Sequence, residues 1–221
     1  MSSRPLDLSL ILACYNEEPV FESSLQRIFE ILELSTLTYE IIFVDDGSRD
    51  RTRTLIDDLI KANPRRALRS IFHERNVGRG GAVADGIRAA RGEITGYIDI
   101  DLEVDALYIP ACVLAIRRGA DIAIGQRNYL FQARSLDRWV LSKGYHWLSQ
   151  KLIGMPLLDT ESGYKFFRRE RILPVLDEIQ DQRWFWDTEV MVRSARRGLK
   201  IQAIPVLFIR RYDKRSSVND L

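Results

Sequence analysis

Gly96-Tyr97-Ile98-Asp99-Ile100-Asp101-Leu102-Glu103 decides how this chain is read, because an apolar run breaks there into two carboxylates one residue apart and a third two further on. An unpaired carboxylate away from water is expensive to hold, so a buried strand that ends in acid has a use for the acid. Alternation along an extended segment sets Asp99 and Asp101 on the same side, where both can meet one cation. Two hard oxygen ligands with room for more suit Mg2+ or Mn2+ holding a substrate diphosphate better than a closed, all-protein cage. A solvated turn after a strand is the plainer reading of the same residues, and the rest of the chain has to choose between the two.

Working back towards the N-terminus, apolar runs and helical periodicities alternate. Residues 8–13 form a short β-compatible run that ends in Cys14-Tyr15-Asn16-Glu17-Glu18-Pro19. Val20, Phe21, Leu25, Ile28, Phe29 and Leu32 then recur at helical spacing and predict a helix over 20–34. A second run, 40–44, enters Asp45-Asp46-Gly47-Ser48; a helix follows over about 51–62, closed by Asn63-Pro64, and a third strand over 68–72. Asn76-Val77-Gly78-Arg79-Gly80-Gly81-Ala82 opens the next helix, which runs to about Ala90, and a fourth strand is expected over 94–100. Glycines there let backbone approach a ligand, and N–H groups at a helix start favour an anion, although packing explains the glycines equally well. Their spacing matches neither the dinucleotide fingerprint nor an ATPase phosphate loop. Alternating strands and helices predict a parallel sheet with crossover helices. Ligands of such sheets bind beyond the carboxyl ends of the strands, so the loops at Tyr15-Asn16-Glu17, Asp45-Asp46 and Asp99-Asp101 are expected to line one crevice.

Towards the C-terminus the pattern predicts a helix over about 106–118, a strand over 121–125, a long helix over 135–152, a strand-like 164–167, a helix over 186–197 and two short strands around Pro205. Composition narrows the classes further. The chain has 221 residues, 33 basic against 31 acidic, for a net charge of +2, which gives no global attraction to nucleic acid. Without a linker-like segment it reads as one domain, 1–221, with a nucleotide-binding half over about 1–103 and an acceptor-binding half over about 104–221. Cys14 and Cys112 lack metal-ligand spacing and read as reduced core residues of a cytoplasmic protein. No run is long and apolar enough for a membrane span, and no secretory leader is expected.

Taken together the loops resemble the inverting family 2 glycosyltransferases of the GT-A fold, over nearly the whole chain. Ala13-Cys14-Tyr15-Asn16-Glu17 is similar to the family's P-x-Y-N-E, with Ala13 in the proline position; Val44 to Thr52 resembles V-D-D-G-S-x-D-x-T; Asn76 to Ala82 resembles N-x-G-x-x-x-A; Asp99-Ile100-Asp101 stands at the D-x-D. The second half is most similar to polyprenyl-phosphate transferases such as dolichol-phosphate mannose or glucose synthases. It has Arg127 after a strand, Arg138, Ser142 and Gly144 in R-x-x-x-S-x-G, and Asp159, Ser162, Gly163, Tyr164 and Lys165 in D-x-x-S-G-Y-K. It also has Trp186-Asp187-Thr188-Glu189 for F-D-T-E, and Arg211 opening a motif whose glycine is replaced.

The resemblance implies an α/β, Rossmann-like nucleotide-sugar-binding fold with a mostly parallel central sheet flanked by helices. It implies transfer of a hexose from a UDP-glucose or GDP-mannose type donor to a polyprenyl phosphate. Tyr15, Glu17 and Asp45 or Asp46 would grip the nucleoside, with core packing the other reading of Tyr15. Asn76, Gly78 and Arg79 would lie near the diphosphate, Asp99 and Asp101 would hold Mg2+ or Mn2+, and Arg127, Arg138 and Arg211 would face the acceptor phosphate. Asp159 would be a base or would orient Lys165 or an arginine. His73 and His146 stand in no matched motif and read as surface or packing residues. A lipid acceptor further implies peripheral contact with the cytoplasmic face of a membrane. Residues 135–152 are the candidate for that contact, unless they form an ordinary helix packed on the domain. A glycan hydroxyl as acceptor and a non-catalytic nucleotide-sugar-binding module stay open as alternatives.

Overall fold

Strand β1 (Leu8–Cys14) is apolar on both faces, since Leu8, Leu10 and Leu12 pack into one buried cluster and Ile11 into another. The neighbouring β2 (Tyr39–Asp45) repeats the arrangement, with Ile41 and Phe43 on one side and Ile42 and Val44 on the other. Near-continuous apolar runs of this kind belong to strands covered by helices above and below. The computed structural model describes residues 6–128 and 159–210.

Helix α1 (Phe21–Leu34) buries Phe21, Ser24, Leu25, Ile28 and Leu32, a stripe at steps of three and four. With α2 (Thr52–Ala62) and α4 (Ile109–Arg117) it borders the first cluster; α3 (Arg79–Ala89), α5 (Arg169–Leu176) and α6 (Trp186–Arg196) contribute to the second. Each large apolar side chain so buried contributes about 1.5–3 kcal/mol. The remaining strands are β3 (Leu68–Phe72), β4 (Ile94–Ile98), β5 (Ile122–Asn128), β6 (Tyr164–Arg168) and β7 (Ile201–Leu207). Together they form one seven-stranded sheet in the order β3-β2-β1-β4-β6-β5-β7. Only β6 runs against its neighbours, antiparallel to both β4 and β5; the other pairings are parallel.

The structure departs from the sequence expectations in four elements. Strand β4 stops at Ile98, before Asp99-Ile100-Asp101. The helix expected from 106 begins as a 3-10 turn, Ala106–Tyr108, started by the Asp105 carboxylate accepting the Leu107 N–H at 2.8 Å. Helix α5 was not expected, since eight residues with Pro174 inside carry little periodic signal. The residues around Pro205 form a single strand, tolerated because β7 is an edge strand. The segment 135–152 lies outside the described residues. Among the described residues no helix is long and apolar enough to cross a membrane. Both cysteines are buried, and burial pushes the Cys112 thiol up to about 12.

Candidate functional site

The parallel strands β1, β2 and β4 deliver their carboxyl ends to one edge of the sheet. The first two loops are joined residue by residue. The Asp46 N–H donates to the Cys14 carbonyl (2.8 Å), the Asn16 N–H to Ser48 Oγ (3.0 Å), and the Arg49 N–H to Asn16 Oδ1 (2.8 Å). Further out, the Glu17 N–H donates to Thr52 Oγ1 (2.8 Å) and the Glu18 N–H to Asp50 Oδ2 (3.1 Å). Asn16 adopts a left-handed backbone (φ 56°), which asparagine tolerates better than most residues. Ser48, Asp50 and Thr52 therefore serve to set the shape of the loop from Tyr15 to Glu18. Tyr15 is half-buried and Glu17 is buried.

The two adjacent aspartates have different environments. Asp46 is fully engaged: its Oδ1 meets His73 Nδ1 (2.8 Å) and accepts the Val77 N–H (2.9 Å), while Oδ2 accepts the Gly78 N–H (2.9 Å). His73 also reaches Asp85 through Nε2 at 3.3 Å, so it is a polar tie between β3 and α3, not the surface or packing residue that its sequence context suggests. Asp45 is equally buried, yet neither of its carboxylate oxygens has a hydrogen-bond partner. Of the two, Asp45 is the one with acceptors left for a ligand.

The glycine cluster before α3 is shaped by packing. Gly78 sits at φ +107°, in the region that favours glycine, and a Cβ there would also strike the Gln182 carbonyl. At Gly80 a side chain would overlap Trp186, so the glycine makes room for the large residue found where the resembled motif has Phe. The Val77 and Gly78 N–H groups are taken by Asp46 and the Gly81 N–H by the Gln182 carbonyl (2.8 Å). Those three groups are not available to cradle a phosphate, contrary to the anion-site reading of this helix start. Asn76 is exposed beside them.

Beyond Ile98 the chain turns, and the turn replaces strand alternation as the device that brings Asp99 and Asp101 together. The Leu102 N–H donates to the Asp99 carbonyl (3.1 Å) and Leu102 takes φ 52°, a left-handed conformation costing a leucine about 1–2 kcal/mol. Asp101 Oδ1 accepts the Glu103 N–H at 3.3 Å. Asp99 Oδ1 receives Arg79 through Nε (3.0 Å) and Nη2 (2.6 Å). Withdrawal of water pushes the Asp99 carboxyl upward, with Asp101 and Asp187 adding to the rise and Arg79 opposing it. The Asp99 side chain is 47% exposed, so solvent screens that rise. The Asp99 N–H donates to the Gly163 carbonyl (3.0 Å), and a Cβ at Gly163 would overlap the Asp99 carboxylate.

Behind this turn lies a charge network that the sequence reading did not single out. Lys165 is fully buried; its Nζ reaches Asp187 Oδ1 (2.5 Å), the Ser162 carbonyl (2.5 Å) and the Tyr97 hydroxyl (2.9 Å). Tyr97 also donates to Asp187, whose other oxygen binds Arg79 Nη1. Burial lowers the Lys165 pKa, opposed by Asp187. Burial would raise the Asp187 carboxyl, but Arg79 and Lys165 outweigh it and hold it below its ordinary value. A lysine in the apolar run Tyr164-Lys165-Phe166-Phe167 was the available signal.

Arg127 of β5 and Asp159 form a forked pair, Nε to Oδ2 at 2.5 Å and Nη2 to Oδ1 at 2.7 Å. Both oxygens of Asp159 are thereby committed to an arginine. Arg138 and Arg211 lie outside the described residues. As a candidate cation site, Asp99 and Asp101 offer hard carboxylate oxygens at one turn, a donor set that fits Mg2+ or Mn2+ with further positions left to phosphate and water. Among the described residues no group of three or more His, Cys, Asp or Glu side chains forms a closed metal cage.

Comparison with known proteins gives consistent results. The family model described as Glycosyl transferase family 2 matches residues 9–173. Glycosyltransferase AglD of Haloferax volcanii is 33% identical over 206 residues, covering 91% of this chain and 33% of that protein. The dolichyl-phosphate beta-glucosyltransferase of Drosophila melanogaster is 31% identical over 219 residues, covering 92% of this chain and 67% of that protein. The chain thus spans a third of the first relative and about two thirds of the second. Among solved structures, glucosyl-3-phosphoglycerate synthase of Mycobacterium tuberculosis, in complex with Mn2+, UDP and glucosyl-3-phosphoglycerate, superposes with a TM-score of 0.70. The match is at 22% identity over 96% of this chain and 73% of that one. Mannosyltransferase PcManGT of Pyrobaculum calidifontis, in complex with GDP-Man and Mn2+, gives a TM-score of 0.63 at 17% identity, covering 97% and 59%. These likenesses show the fold to be GT-A.

Proposed function

The chain belongs to glycosyl transferase family 2, and on that premise we propose that it moves a hexose from a nucleotide sugar of UDP-glucose or GDP-mannose type to a polyprenyl phosphate. The observation that carries the donor reading is Asp45, a buried carboxylate with no hydrogen-bond partner at the end of β2. A nucleobase N–H is a fitting partner for such a group, and a ribose hydroxyl is a second. Tyr15 and Glu17, on the loop joined to Asp45-Asp46, complete the nucleoside side. The acceptor reading is supported by relatives named dolichyl-phosphate beta-glucosyltransferases.

Asp99 and Asp101 would hold the divalent cation, which when bound neutralises charge on the departing diphosphate. In the transfer itself a phosphate oxygen of the acceptor attacks the anomeric carbon in line, the bond from that carbon to the nucleoside diphosphate breaks, and the configuration inverts. A phosphate monoester with a second pKa of about 6 is largely ionised at neutral pH and needs no strong base. The forked Arg127–Asp159 pair agrees with that requirement, because it makes Asp159 an orienting group for a phosphate-directed arginine. A glycan hydroxyl would require a general base, and Asp159 has both oxygens occupied. Working on a lipid acceptor places the protein at a membrane surface, on the cytoplasmic side where nucleotide sugars are found.

The test is a donor screen: UDP-glucose and GDP-mannose, with Mn2+ or EDTA, against a polyprenyl phosphate and a free glycan, read by mass spectrometry. The expected product is the hexosyl polyprenyl phosphate, formed with Mn2+ and lost in EDTA. Transfer only to the glycan would reject the acceptor assignment, and nucleotide binding without any transfer would leave the binding-module reading.

A further inference from the structure

Arg79 occupies the carboxylate that a cation would use. Its guanidinium grips Asp99 Oδ1 through two nitrogens, at 3.0 and 2.6 Å, and Asp187 through the third. Asp187 cannot easily follow if Arg79 moves, because its other oxygen is held by Lys165 Nζ at 2.5 Å and by the Tyr97 hydroxyl. Lys165 is in turn fixed by the Ser162 carbonyl, and the Arg79 side chain is only 20% exposed. Arg79 and Lys165 carry two positive charges, Asp99 and Asp187 two negative ones, so these four groups balance before any cation arrives. A divalent ion at Asp99 must displace the guanidinium from Oδ1 or share the carboxylate with it, and either event sets like charges side by side. A nucleoside diphosphate brings the negative charge that relieves the conflict.

We propose that Arg79 is a positioning residue that acts as an internal counter-ion for Asp99: it holds the carboxylate in place and suppresses cation binding until a nucleoside diphosphate is bound. The inference rests on Asp99 and Asp101 being the cation ligands.

The experiment is Mn2+ binding to the full chain, measured by electron paramagnetic resonance of free Mn2+, alone and with UDP or GDP, with Mn2+ held by the nucleotide itself subtracted. Wild type is expected to bind Mn2+ at least about tenfold more tightly with the preferred nucleotide than without it, the equivalent of about 1.4 kcal/mol. Arg79→Met should bind Mn2+ alone about tenfold more tightly than wild type, and Arg79→Lys, which keeps the charge, should stay near wild type. The gain should vanish when Asp99→Asn is added to Arg79→Met. Loss of the gain in the double variant ties it to Asp99 and not to a general loosening of the fold. If wild type binds Mn2+ and Arg79→Met shows no gain, or Arg79→Lys gains as much, the counter-ion role is rejected while the cation site stands. If wild type and variants all bind no Mn2+ even with nucleotide, the cation site and the inference fall together.

Discussion

At Asp45 a stability cost and the proposed nucleotide contact meet in one side chain. A carboxylate buried without a partner weakens the fold by roughly 1–3 kcal/mol, and a neutral amide costs less to bury. Asp45→Asn is therefore expected to raise the thermal midpoint by a few degrees while weakening UDP or GDP binding tenfold or more, by scanning fluorimetry and titration calorimetry. A lower midpoint with unchanged affinity would show that Asp45 serves the fold. Asp159 calls for a different measurement. Since both its oxygens hold Arg127, Asp159→Asn should raise the acceptor KM and leave the shape of the pH–rate profile intact. Loss of a base would instead collapse kcat and remove the acid limb. At this scale the candidate carboxylates were legible, because acid interrupting an apolar run shows up in sequence. Which of Asp45 and Asp46 is left to a ligand was not legible: it depends on His73, Val77 and Gly78, brought to Asp46 only by the fold.

The segment between α5 and α6 shows how an element can be held by one carboxylate. Glu189, near the start of α6, accepts the Gln180 N–H (3.2 and 3.1 Å at its two oxygens) and the Asp181 N–H (2.9 Å), and pairs with Arg193 Nε at 2.7 Å. The same segment places Gln182 against Gly78 and Trp186 against Gly80, so Glu189 supports the start of α3 at second hand. Burial alone would raise the Glu189 carboxyl, but the Asp181 and Gln180 N–H groups and Arg193 hold it below its ordinary 4.5. A depressed carboxyl stabilises fully above its unfolded value and loses that contribution as pH falls through the folded one. Glu189→Gln should thus melt below wild type at neutral pH, by an amount that shrinks below about pH 4. A constant gap in melting curves from about pH 7 to 3 would contradict this. Sequence periodicity revealed α1 and α2, where a long amphipathic stripe dominates. It missed α5, too short to show a stripe, and ended β4 two residues late, since Asp99-Ile100-Asp101 alternates like a strand while its backbone turns.

For the whole molecule, the decisive feature is the seam where β4 meets the antiparallel β6, from Ile94↔Arg168 to Ile98↔Tyr164. Strands β3, β2 and β1 lie on one side of it and β5 and β7 on the other, so the proposed nucleotide and acceptor sides share one sheet. The buried network crosses at the same place: Arg79 from α3 and Tyr97 from β4 meet Lys165 from β6 and Asp187 from α6. Beyond the lysine in an apolar run, sequence does not show which groups meet, because the partners stand as far as 108 residues apart. Breaking the seam exposes apolar strand faces and buried charges together, so the halves should not unfold separately. Denaturation followed by far-UV circular dichroism and by tryptophan fluorescence, to which the buried Trp186 beside Tyr97 contributes, should give superimposable single transitions. Lys165→Met removes one partner of a buried ion pair and should lower stability by about 3–5 kcal/mol. Because the network spans both sides, it should shift both probes equally. Two resolved transitions in wild type, or a Lys165→Met shift confined to one probe, would mean that the two sides of the seam fold as independent units and that the network does not join them.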